Sequence, residues 1–240
     1  MNNNTVVKAI KNEPTKIHVY GILNKHSEFS EFFELAKTEF ASDMLAMIGF
    51  KDKDWTENSD EWKAEQNKYR IFVDGKGYNP QFNEKLVRFF NNYRYTIYVP
   101  TNAGMQEAYA KGLPRLSDFE KFVAEKTIPA DPDVEDSKPY MEKEDQLKAQ
   151  AMVNMIVNFV KYHFQDQAFY VDHADAEGEF QTSCVDLKEN IYLPIKMKQT
   201  DGRISVTDNA GATQDVIQPY NLLARDSNFD NLNSKSNFYQ

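Results

Sequence analysis

The chain has 240 residues, 41% of them hydrophobic and 27% charged, the balance of a globular protein able to bury one large core or two small ones. Its 28 basic against 37 acidic residues leave a net charge of −9 with no basic stripe or tail, which excludes nucleic acid and an anionic membrane surface as electrostatic partners. No run of ~18 apolar residues predicts a transmembrane span, and the single cysteine, Cys184, excludes an internal disulfide.

Residues 1–16 are polar, carry Pro14 and read as a loose lead-in; Met-Asn-Asn-Asn-Thr is neither a signal peptide nor a lipid-acceptor cysteine. Further on, Phe29, Phe32, Phe33, Ala36, Phe40, Met44 and Ile48 recur at helical spacing, with Ser27 or Ser30 as N-cap and Glu31 and Glu34 in the first turn. Residues 50–93 break that pattern. A charged stretch from Lys51 to Lys68 precedes a strand over 69–73, a turn at Asp74-Gly75-Lys76-Gly77 and a short helix over 81–90. Gly75 and Gly77 lack the Lys-Ser or Lys-Thr of a phosphate loop. The insert is rich in aromatics: Trp55, Trp62, Tyr69, Tyr78 and Phe82 serve either packing or an exposed recognition surface for a protein or a sugar.

In Tyr95-Thr96-Ile97-Tyr98-Val99, β-branched and aromatic residues alternate, the pattern of a half-buried strand. Pro100 removes a backbone donor and ends the strand, and Thr101 or Asn102 can cap a helix over 103–111 that Gly112 and Pro114 terminate. Ser117 is placed to cap a second helix, 118–126, with Phe119, Phe122 and Val123 inward. The stretch 127–139, with three prolines and four acids, is a solvated loop; Asp131, Asp133 and Glu135 alternate as in a calcium loop but lack its glycine and closing glutamate.

From Lys143 to Phe164 runs the clearest helix, with Leu147, Ala151, Met152, Met155, Ile156, Phe159, Val160 and His163 forming its apolar face. His163 has no second His or Cys at metal-ligand spacing, so it reads as a hydrogen-bonded core residue. Beyond it the period becomes two, predicting strands at 168–171, 180–187, 190–195, 204–207 and 215–217, with turns at Lys188-Glu189-Asn190 and Asp201-Gly202. Cys184 sits in one of these apolar runs as an inert core thiol. Asp172, His173, Asp175 and Glu177 crowd one connection, for which loop solvation is the simpler account than a metal. The stretch 227–240 reads as a polar tail. Short strands after a helical half give an α+β fold, a mainly antiparallel sheet packed on helices.

Two phrases carry a family likeness. Tyr-Thr-Ile-Tyr-Val-Pro-Thr-Asn-Ala over 95–103 resembles the first sequence box of fasciclin-type (FAS1) domains, and Tyr162-His163 at a helix end resembles their Tyr-His box. The family positions are Thr96, Pro100, Thr101, Asn102, Tyr162 and His163. The resemblance implies a single domain over 17–226, an antiparallel β wedge or sandwich against several helices, with insertions at about 50–93 and 127–143. The family's closing box needs a histidine, and none follows His173, so its last strand is missing, replaced or supplied by another chain.

FAS1 domains are non-catalytic adhesion modules, and in the family the Tyr-His pair is tied to adhesion. The insertions and the divergent end resemble fasciclin lipoproteins of Gram-negative outer membranes, some of them encoded with nutrient importers. The resemblance therefore implies an extracellular, outer-membrane-associated accessory protein that docks on a partner protein or a glycan, with Trp55, Trp62, Tyr69 and Tyr78 as contacts. It implies no cofactor, no metal and no catalytic residues; a lipid anchor, if there is one, is not in this sequence. Two alternatives stand beside it. A carboxylate-dependent glycan hydrolase needs two acids facing each other at a cleft, and a purely structural subunit fits an exposed sheet edge.

Overall fold

The computed structural model describes residues 26–38, 40–50, 94–166, 176–186, 188–189, 191–201, 203–216 and 235–239. A 3-10 turn, Ser27–Phe29, leads into α1 (Ser30–Ala36), followed by α2 (Ser42–Met47), β1 (Arg94–Tyr98), α3 (Asn102–Ala110), α4 (Leu116–Lys126) and α5 (Lys143–Tyr162). The strands β2 (Phe164–Asp166), β3 (Ala176–Asp186), β4 (Ile191–Thr200), β5 (Arg203–Thr207), β6 (Thr213–Asp215) and β7 (Lys235–Tyr239) complete the order. The fold is α+β. Six strands run antiparallel to their neighbours in the order β6-β5-β4-β3-β2-β1, and β7 adds to β1 in parallel. Lys235–Tyr239, within the stretch read as a polar tail, is thus a strand of the sheet.

The aromatic stripe from Phe29 to Ile48 runs over the 3-10 turn and two short helices, α1 and α2. The Thr38 hydroxyl donates to the Glu34 carbonyl, while the Thr38 amide slips to Leu35 in a tighter turn, and α1 stops. The stripe stays buried all the same: Phe29, Phe32, Phe33, Leu35, Ala36, Phe40, Leu45 and Ile48 all belong to the main core. Gly49 follows α2 at φ +82°, and two glutamines of α5 cap the exposed carbonyls there, Gln146 Nε2 donating to Met47 O and Gln150 Nε2 to Ile48 O.

The sequence reading of α5 erred in rotation. Ala149, Val153, Ile156, Val157 and Val160 face the core, whereas Leu147, Ala151 and Met155 are exposed, Leu147 at 54%. The helix needs its glutamines at 146 and 150 toward α2, and a helix can show only one face to one neighbour, so Leu147 and Ala151 turn away. The helix also ends two residues early, at Tyr162, because Phe164 is already paired with Ile97 in the sheet. In α4 the first turn is closed by Asp118, whose carboxylate accepts from the Arg115 amide; Ser117 is exposed within that turn and is not the cap.

The antiparallel half follows the period-two reading with longer strands, β3 and β4 pairing from Ala176↔Gln199 to Asp186↔Ile191 around a bulge between Gln181 and Val185. Asp186 Oδ1 accepts from the amides of Lys188 and Glu189, making the first expected turn. At the second, Thr200 pairs with Arg203 and Asp201 sits at φ +51°, the left-handed conformation that a two-residue hairpin requires. The sheet curls, which gives its strands two apolar faces to serve. Ile97 and Val99 of the β1 run join the helical core, while Tyr98 between them joins a second cluster with Ile195, Met197 and Ile204. The thiol of Cys184 is 3% exposed and burial pushes it up to about 11, which keeps it protonated and unreactive. Among the described residues no helix is long and apolar enough to cross a membrane.

Candidate functional site

The site is built where β1 ends. Thr101 caps α3: its hydroxyl oxygen accepts from the Gly104 amide at 3.1 Å. Asn102 does something the sequence does not announce. Its Oδ1 accepts from the Glu31 amide at 3.0 Å, and its Nδ2 donates to Ser27 O at 2.9 Å and to Ser30 Oγ at 3.2 Å. Thr101 therefore caps its own helix and Asn102 caps α1, a partner more than seventy residues earlier. Pro100 packs close by, since a Cβ on Gly104 would lie 3.4 Å from the Pro100 Cβ.

The end of α5 arrives at the same place. The Tyr98 amide donates to His163 O at 3.0 Å, and the pairs Ile97↔Phe164 and Thr96↔Gln165 continue the contact into β2. The Tyr98 hydroxyl donates to Gln165 Oε1 at 2.7 Å in the interior, and burial lifts that phenol far above its usual range. Gln165 is fully buried, and its Nε2 has no hydrogen-bond partner among the described residues. Thr96, one of the positions that carry the FAS1 resemblance, is fully buried in β1.

Tyr162 and His163 have separate tasks. The Tyr162 hydroxyl donates to Pro194 O at 2.9 Å and accepts from the Asn209 amide at 2.7 Å, pinning β4 and the β5–β6 turn to the helix end. Burial raises its pKa, so it stays a phenol. His163 lies between two rings, 4.5 Å from the Phe159 centroid and 5.3 Å from that of Phe32. Burial holds its imidazole down at about 4, so it is neutral at pH 7. Nδ1 lies 2.7 Å from the Phe159 carbonyl, which only accepts, so Nδ1 carries the proton and Nε2 is left as an acceptor.

Between these pieces opens a cleft of about 320 Å3. Its apolar wall comes from Tyr98, Val99, Phe159, Val206 and Val216, with Ala108 on the α3 side. Its charged lining is Glu107 and Asp215, both exposed, and no Lys or Arg side chain lines it among the described residues. Of the six positions that carry the FAS1 resemblance, Pro100, Thr101 and His163 line this cleft, Asn102 ties α3 to the start of α1, and Tyr162 anchors the β5–β6 turn. Glu107, Val206 and Asp215 carry no local signal for this role, and only the curl of the sheet brings β5 and β6 opposite α3.

Trp55, Trp62, Tyr69 and Tyr78 lie outside the described residues, as do Asp172, His173 and Asp175. Glu177, the last of that acidic crowd, belongs to β3 and pairs with Lys198 at 3.3 Å. Asp131 and Asp133 close a turn on themselves, the Asp133 amide donating to Asp131 Oδ1. Among the described residues no group of three or more His, Cys, Asp or Glu is placed to hold a metal ion. Comparison of the chain with protein-family models, with curated proteins and with solved structures gives no match.

Proposed function

We propose that this chain is a non-catalytic FAS1-like binding module, exposed at the cell surface and associated with an outer membrane, which docks on a protein of a nutrient importer or on a glycan. One observation supports it most. The stretch 95–103 and the pair Tyr162-His163, which resemble FAS1 boxes separately, adjoin through the Tyr98–His163 backbone bond, and residues 98–101 and His163 line one cleft. The side chains there cap, clamp and brace; such a rigid frame suits recognition by a fixed surface.

The test is recovery of the tagged full chain from native membranes, with mass spectrometry of what travels with it. An importer component or a bound glycan is the expected companion, and capture should weaken in Trp55→Ala and Trp62→Ala with stability held within ~1 kcal/mol. A chain recovered without either companion refutes the reading, and equal loss of stability and capture makes the two tryptophans core residues.

A glycan hydrolase has one feature in its favour, since Glu107 and Asp215 line the same cleft. Both carboxylates are exposed, whereas a general acid needs an apolar setting that keeps its proton near neutral pH. Docking is therefore preferred.

A further inference from the structure

The cleft beside His163 has a composition that selects its occupant. Its walls are apolar and half-buried: Val206, Val216, Ala108 and Phe159, with Tyr98 and Val99 behind them. Among the described residues its charges are of one sign, Glu107 from α3 and Asp215 from β6. The His163 imidazole that lines it offers an acceptor, because Nδ1–H is spent on the Phe159 carbonyl. The chain as a whole, at −9, adds to the same field. An anion is repelled by such a lining, and a purely apolar group draws nothing from the two carboxylates, which stay hydrated at the rim. A slender apolar stem ending in a cation satisfies both, and about 320 Å3 is the lower end of what ligand pockets offer.

We propose that this cleft seats a lysine or arginine side chain presented by the partner protein, its methylene stem against Val206, Val216 and Phe159 and its cationic head at the rim that carries Glu107 and Asp215. The inference rests on the docking function above and specifies its chemistry. The apolar wall supplies contact area, the two acids supply sign selectivity and faster encounter, and the clamped His163 keeps the wall rigid.

Binding to the full-length chain is read from the NMR signals of Val99, Val206 and Val216 during titration with four probes. These are the N-acetyl, N-methylamide derivatives of lysine, arginine and norleucine, and the trisaccharide maltotriose. Saturable shifts with lysine or arginine, at least several-fold weaker with norleucine and absent with maltotriose, are expected. Both acids are exposed, so Glu107→Gln with Asp215→Asn should keep the fold, verified by circular dichroism. That double variant should bind the cations about tenfold more weakly, the combined loss of two exposed ion pairs. Norleucine binding as well as lysine, maltotriose producing the shifts, no shift with any probe, or cation binding indifferent to the double variant each overturns the proposal. Membrane capture that persists in the double variant with no cation binding would sink this proposal and leave the docking function standing. Loss of membrane companions with cation binding intact would do the reverse.

Discussion

Asn102→Ala is the sharpest test of how the site is held. The side chain makes three hydrogen bonds to the start of α1: from the Glu31 amide, to Ser27 O and to Ser30 Oγ. The bond to Ser27 is exposed, and water replaces it at little cost. The other two are partly buried, and at roughly 1 kcal/mol net each they set the loss at about 2 kcal/mol, close to the upper range for a helix cap. For a chain of this size that lowers Tm by about 4–8 °C. Asn102→Asp keeps the acceptor for the Glu31 amide and discards both donations, so it should fall between. Urea unfolding followed by circular dichroism measures this, with the midpoint moving and the slope unchanged. A loss below ~0.5 kcal/mol for Asn102→Ala would refute the claim that this residue joins α1 to α3.

Two further outcomes follow from the end of α5. His163 is held at about 4 by burial and returns to about 6.5 on unfolding, so the unfolded chain takes up the proton first as pH falls. Its contribution is complete above pH 6.5 and declines to nothing by about pH 4, a change of roughly 3 kcal/mol. His163→Gln should flatten the pH dependence of unfolding free energy across that window, and parallel curves for the two proteins would contradict the burial. Tyr162→Phe removes the hydroxyl that donates to Pro194 O and accepts from Asn209, at a cost of about 1–2 kcal/mol. Amide exchange at Asn209 should quicken at least several-fold in that variant; unchanged exchange would mean that the β5–β6 turn does not depend on it.

Local signals located most of the elements described. The Pro100–Thr101–Asn102 sequence marked the end of a strand and the start of a helix because proline, threonine and asparagine each act on backbone groups within four residues. Alternation from Phe180 onward marked β3, β4 and β5 for the same reason, since the pleat is a property of neighbours in the chain. Where a residue had two neighbours to choose from, the reading slipped. Leu147 and Met155 were assigned to the core on periodicity, and the glutamines at 146 and 150 decided the rotation instead. The spacing from Phe29 to Ile48 did not mark where α1 gives way to α2, which falls at Thr38, whose hydroxyl donates to the Glu34 carbonyl.

The sequence by itself determined that this protein has a helical half, a strand halted by proline, a long helix ending in Tyr-His and an antiparallel set of short strands. Those are consequences of periodicity and capping, which act over a few residues. The tertiary structure alone decided that Asn102 would cap a helix begun at Ser30, that a second cluster of Ile195, Met197 and Ile204 would meet Tyr98 on its face of β1, and that Glu107 and Asp215 would share a cleft. Each of these depends on the curl of the sheet and the docking of α5, contacts between segments some thirty to more than a hundred residues apart, for which no stretch of chain carries a local preference.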